Sequence, residues 1–285
     1  MPSQKNFDLV ILDLDGTIID LYRPGGISPF VLQTIADVQA AGVPVTIGTG
    51  RTLAYIHKNL RHLNITTPAV TVMGAVIGNP ATGQILEKSE LDLDAARWVA
   101  QFMSEQKLVC GFYFCHDDGS FHIAQNFDGT KSQEFYDHVI TTPRQVGSDL
   151  NALLAGTNAP RPIKFLSVND LDEGVDIAPL LRNAIGNSTT IVRTHPMLVE
   201  GTALGIDKGS GLHKLCALLG IDISRVLAIG DADNDIPMLE VAGMSVAMGN
   251  GTPGAKAAAH WIAPSISDDG AAVTMRKYIL GEDYP

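Results

Sequence analysis

Several things are missing from this chain, and each absence excludes a class of protein. It has no run of the roughly 20 apolar residues that a membrane-spanning helix needs. Its three cysteines, Cys110, Cys115 and Cys216, are too few and too unevenly placed for a disulfide framework, and read as free thiols packed in a core. Basic residues are in deficit, 20 Lys and Arg against 31 Asp and Glu, for a formal net charge of -11. That balance argues against the basic footprint of non-specific nucleic-acid binding. The eight histidines show no zinc-ligand spacing. No signal-peptide pattern opens the chain, because Asp8 and Asp13 closely flank its first apolar run, so a cytoplasmic protein is expected. There is neither an internal repeat nor a low-complexity segment.

What is present is a well-packed globular composition, 45% hydrophobic and 18% charged over 285 residues. Residues 8–80 alternate strand and helix. Leu9–Leu12, Val43–Ile47 and Ala69–Met73 read as strands, apolar throughout, as in a parallel sheet covered on both faces. Ser28 and Pro29 open a helix that runs through Ala41 and closes at Gly42, and Thr52–Leu63 is a second helix. The grammar then changes. Strands at Ile85–Glu87, Val109–Cys115, Phe121–Gln125, Ile163–Val168 and Thr190–Thr194 mix with helices at Asp94–Gln106 and Lys131–Ile140. From Lys208 the βα rhythm returns, with helices at Ser210–Leu219, Ile236–Val241, Ala255–Ala259 and Asp269–Leu280 and strands at Val226–Ile229 and Met244–Met248. The expected fold is α/β, a doubly wound parallel-sheet core of residues 1–82 and 199–285, with an α+β module of residues 83–198 inserted in it.

Two of the core strands run straight into carboxylates. Leu9–Leu12 leads into Asp13-Leu14-Asp15-Gly16-Thr17, and Val226–Ile229 into Gly230-Asp231-Ala232-Asp233-Asn234-Asp235. Parallel sheets place ligands at the carboxyl ends of their strands, so neighbouring strands would gather at least four carboxylates in one crevice. Two like charges 4 Å apart repel by about 1 kcal/mol in water and about 4 kcal/mol at an effective dielectric of 20. The cluster must be spread out, partly protonated, or bound to a divalent cation, and an all-oxygen donor set favours Mg²⁺. Ordinary helix capping explains one of these acids but not all of them. Ile47-Gly48-Thr49-Gly50-Arg51 also follows an apolar strand, and a hydroxyl with small residues before a helix makes a phosphate cradle, or simply a capped turn. Lys208 stands at a helix start. It is either a solvated lysine that opposes the helix dipole or a cation facing an anionic ligand. Gly249-Asn-Gly-Thr-Pro-Gly254 matches the dinucleotide fingerprint on paper, but no strand ending in an acid follows it at the usual distance.

Together the four segments resemble the haloacid dehalogenase (HAD) superfamily of phosphotransferases, in order and spacing across the whole chain. The insertion resembles the larger cap of its Cof-type, class IIB phosphatases. The resemblance implies a Rossmann-like HAD core in which Asp13 is the nucleophile that forms an aspartyl-phosphate. Asp15 would protonate the leaving alcohol and then deprotonate the hydrolytic water. Thr49, Gly50, Lys208 and Asn234 would hold the phosphoryl group. Mg²⁺ would be bound by Asp13, the backbone carbonyl of Asp15, and Asp231, with Asp235 in support. The inserted module would open and close over a small phosphorylated metabolite, such as a sugar phosphate, with Lys164, Arg193 and His195 as residues that could meet it. Two alternatives stay open: a phosphomutase on a sugar phosphate, and a non-catalytic phosphometabolite-binding protein. Nucleic-acid and membrane partners are not expected. One departure stands out. Met73 precedes Gly74-Ala75 where the subfamily often has Asn, so a hydrogen-bonding side chain is replaced by a thioether.

Overall fold

Every residue of the strand Leu9–Leu12 is apolar because both faces of that strand are covered. Leu9 and Ile11 point into one core, with Val226, Ala228 and Leu215. Val10 and Leu12 point into the other, with Val45, Ile47, Leu227 and Ile229. At roughly 1.5–3 kcal/mol per fully buried aliphatic side chain, these four residues fix the strand more firmly than a surface ion pair, worth about 0–1 kcal/mol, could.

The computed structural model describes residues 7–20, 23, 26–116, 118–127, 143–168, 176–195 and 197–282. It comprises two units, Met1–Gln84 with Asp207–Pro285, and Ile85–Ile206. The first is built on a five-stranded parallel sheet in the order Trp261–Ile262, Met244–Ala247, Val226–Gly230, Leu9–Leu12, Val45–Ile47. Beyond Val45–Ile47, Gly48 bridges in parallel to Val70. The order puts the two acid-bearing strands side by side, with Leu12 opposite Ile229. Helices Pro29–Ala40 and Gly270–Met275 pack on one face, and Lys208–Leu219 and Ile236–Val241 on the other, so the core is a doubly wound α/β sheet. Ser28 caps the first of these helices by accepting the Val31 N–H at 3.1 Å.

The second unit holds a six-stranded sheet in the order Thr189–His195, Leu198–Ala203, Lys164–Val168, Cys110–Cys115, Phe121–Gln125, Arg144–Gln145. It is antiparallel except for its last pair. Helices Leu93–Glu105 and Ala178–Ile185 cover one face, over Phe112, Phe114, Phe165 and Val199. This is the α+β grammar of the insertion. Arg193, on the helix-covered side, pairs with Asp176. Lys164, buried on the other side, pairs with Glu200 and lies 4.6 Å from the Tyr113 ring centroid. The helix expected over Lys131–Ile140 and the His195 side chain lie outside the described residues.

The sequence reading left out several elements, among them strand Leu198–Ala203 and helix Ala178–Ile185, and three that it named run differently. The strand read as Ala69–Met73 ends at Thr71, because Val72 and Met73 adopt φ of 51° and 59° and Gly74 φ of 91°. Left-handed backbone at a β-branched residue costs about 1–3 kcal/mol, so surrounding contacts must hold this turn. The helix read as Thr52–Leu63 stops at Asn59 and resumes as a short 3₁₀ turn, Arg61–Leu63, because Leu60, Leu63 and Ile65 all turn into the same core. The final helix widens to π geometry over Arg276–Leu280, where Arg276 reaches across to Asp37 at 2.9 Å and to Glu282 at 2.6 Å. The three cysteines are buried thiols. Among the described residues no helix is long and apolar enough to cross a membrane.

Candidate active site

Asp13 continues the ladder by one bond past Leu12, its N–H donating to the Ile229 carbonyl at 2.9 Å, and then the chain turns. Gly16 makes that turn at φ +85°, and a Cβ there would stand 2.3 Å from Asp231 Oδ2. Only glycine lets the two acidic loops approach this closely. Thr17 Oγ1 donates to Asp231 Oδ1 at 3.1 Å, and Asn250 Nδ2 to the Gly16 carbonyl at 2.8 Å.

Lys208 is the first residue of its helix, capped by Asp207, and it is completely buried. Its Nζ donates to Asp13 Oδ1 and to Asp235 Oδ1, each at 2.6 Å. The solvated-lysine alternative is therefore wrong. The dipole penalty of about 0.3–1 kcal/mol is smaller than the roughly 1.5–3 kcal/mol of each charge-assisted bond. Asp235 is anchored further, Oδ2 accepting the N–H groups of Asp231 at 2.9 Å and Ala232 at 3.0 Å.

Carboxylate oxygens of Asp13, Asp231 and Asp235 lie within 4.8 Å of one another. Burial, then the Asp235 charge, pushes the Asp13 carboxyl well above the usual carboxylate range, and Lys208 offsets only part of this. Burial and Asp235 likewise push Asp231 up to about 7. Burial works against the Lys208 charge, but Asp13 and Asp235 outweigh it and hold its pKa above the usual lysine range. One lysine is thus too little positive charge for three clustered acids. Their hard, all-oxygen donor set fits a divalent cation.

Thr49 is buried, and its hydroxyl accepts the Arg51 N–H at 3.1 Å. The helix cap is instead Thr52, which accepts the Tyr55 N–H at 3.3 Å. Arg51, which sequence reasoning passed over, grips the Asp15 carboxylate from 36 positions away and stacks on Tyr55 with its Cζ 4.2 Å from the ring centroid. Asn234 Nδ2 reaches Met73 Sδ at 3.6 Å, while its buried Oδ1 has no hydrogen-bond partner among the described residues. Asp13 and Asp15 lie beyond the last residue of the strand, so strand alternation is not what places them.

The glycine-rich stretch 249–254 packs on the second acidic loop. Thr252 N–H donates to the Asp231 carbonyl at 2.8 Å, and a Cβ on Gly251 would come 2.8 Å from that same oxygen. Its glycines serve loop contact.

The family model for haloacid dehalogenase-like hydrolases matches residues 10–275. A Streptococcus pyogenes protein with a provisional phosphatase name is 29% identical over 286 residues, covering 95% of this chain and 98% of its own. The Bacillus subtilis 5-amino-6-(5-phospho-D-ribitylamino)uracil phosphatase YcsE is 28% identical over 282 residues, with 95% and 96% covered. The solved structure of a HAD subclass IIB sugar phosphatase superposes with a TM-score of 0.77 at 23% identity, covering 95% of this chain and 98% of that one, a likeness of fold. The chain belongs to the haloacid dehalogenase-like hydrolase family.

Proposed function

We propose that this hydrolase is a phosphatase that cleaves a small phosphorylated metabolite through an aspartyl-phosphate on Asp13. The observation that carries the reading is the buried Asp13–Lys208–Asp235 chain beside Asp231. The phosphatase names of its relatives support it.

In this reading Asp13 attacks phosphorus with the oxygen that Lys208 does not hold, and the ester P–O bond breaks. Asp15 gives its proton to the departing alkoxide, then takes one from the water that attacks the phosphorus of the acyl phosphate. The P–O bond to Asp13 breaks and inorganic phosphate leaves. The buried lysine, the Thr49–Arg51 loop and Asn234 hold the equatorial oxygens, whose charge is the main electrostatic demand of phosphoryl transfer. Asp13, the Asp15 carbonyl and Asp231 would hold Mg²⁺, with Asp235 in support. When bound it supplies positive charge to the transferring group. The second unit, Ile85–Ile206, would select the leaving group.

A screen of phosphorylated metabolites for phosphate release, with and without Mg²⁺, tests the reading. Sugar phosphates are expected among the substrates. Release by Asp13→Asn at the wild-type rate would remove Asp13 as nucleophile. Return of an isomeric sugar phosphate without free phosphate would make the protein a mutase.

A further inference from the structure

The turn Val72-Met73-Gly74 is bound to the candidate phosphate loop by its backbone. Val72 N–H donates to the Arg51 carbonyl at 2.9 Å and Met73 N–H to the Thr49 carbonyl at 3.1 Å. Gly74 cannot be replaced, since a Cβ would lie 2.0 Å from the Asp207 carbonyl oxygen, at the cap of the Lys208 helix. The strained turn thus joins the loop carrying Thr49 to the helix carrying Lys208.

The Met73 side chain extends this link. It is 2% exposed. Its sulfur lies 3.6 Å from Asn234 Nδ2, and a Cβ on Gly50 would come 3.0 Å from the same sulfur. A single thioether therefore meets residues of both loops assigned to the phosphoryl group. A thioether sulfur accepts but never donates. Turning the Asn234 amide over would set Oδ1 against sulfur, acceptor against acceptor. With Nδ2 toward sulfur, one of its two N–H groups is used and the other is left for an incoming oxygen.

We propose that Met73 is a positioning residue that orients the Asn234 amide so that its second N–H meets a phosphoryl oxygen. The proposal rests on the phosphatase reading above. Because the held group is the phosphoryl moiety and not the leaving alcohol, its effect falls equally on all substrates.

The test compares Met73→Leu with Met73→Asn in the full chain. Leucine keeps the bulk and removes the acceptor. Asparagine restores an acceptor and tolerates left-handed backbone. The measurements are KM and kcat on p-nitrophenyl phosphate, the inhibition constant of inorganic phosphate, and the thermal shift that phosphate induces. For Met73→Leu, KM and the phosphate inhibition constant are expected to rise together by about threefold to tenfold, the effect of one weak hydrogen bond, with kcat within about twofold, as for lost uniform binding. The phosphate-induced thermal shift should shrink. Met73→Asn should return all of these toward wild type. Unchanged phosphate binding in Met73→Leu, or a rise in Met73→Asn as large as in Met73→Leu, overturns the proposal. Should Met73→Leu not fold, Met73→Asn decides alone, since weakened phosphate binding there overturns it and wild-type binding supports it. An inactive wild type would sink the phosphatase reading instead, and is told apart by that result.

Discussion

Arg51 holds Asp15 by both carboxylate oxygens, Nε to Oδ2 at 2.7 Å and Nη2 to Oδ1 at 2.6 Å. Such a fork fixes the direction of the carboxylate. To reach an alkoxide as an acid, Asp15 has to leave the fork.

Asp15→Asn is therefore expected to lower kcat by about 10²–10⁴-fold on alkyl phosphates, the usual range for losing a general acid. The loss should be smaller on p-nitrophenyl phosphate, whose leaving group departs without a proton. Arg51→Lys keeps the charge but removes the planar fork and should lower kcat on both substrates. Equal losses for Asp15→Asn on the two esters would refute the acid role.

Lys208→Met tests the buried triad. Removing the cation leaves Asp13 and Asp235 sharing a buried site with no countercharge. Loss of one partner from a buried pair costs about 3–5 kcal/mol. Urea unfolding should show the unfolding free energy lowered by that amount, read as a midpoint that falls by that energy divided by the m-value, and phosphate release should vanish. An unchanged midpoint would mean that water reaches these carboxylates.

Asp231 sets a pH dependence. Burial, with Asp235, raises its carboxyl from 3.8 to about 7 in the metal-free protein. The folded chain therefore binds more protons than the unfolded chain across that interval, and stability falls as pH rises through it. Thermal midpoints measured in chelator should be higher at pH 5 than at pH 8. Added Mg²⁺ should stabilise more at pH 8 than at pH 5, because a cation must displace the proton. A midpoint that rises with pH in chelator contradicts this.

The fold and the acidic residues were legible because both obey short-range rules. Leu9–Leu12 and Val226–Gly230 are apolar at every position, as only doubly covered strands are, and acids at the end of such strands have few structural uses. What resisted reading depends on distant partners. Lysine is ordinarily solvated, and nothing near Lys208 in sequence shows that Asp13, 195 positions away, buries it. Arg51 stands in a short turn beside Thr49, yet its partner Asp15 lies in another segment. Val72 and Met73 are apolar like the strand before them. Their left-handed backbone is dictated by amides bound to Thr49 and Arg51, which no periodicity records.

The separation between Asp13 and Lys208 has a consequence for biosynthesis. The ribosome makes Asp13 some two hundred residues before its counter-ion. Asn250, which tethers the Gly16 carbonyl, emerges later still. A nascent chain that has already closed Ile85–Ile206 into its own sheet still carries Asp13 with nothing to balance it. A polypeptide released before that lysine is added lacks its charge partner, so chemistry has to wait for the late-made half.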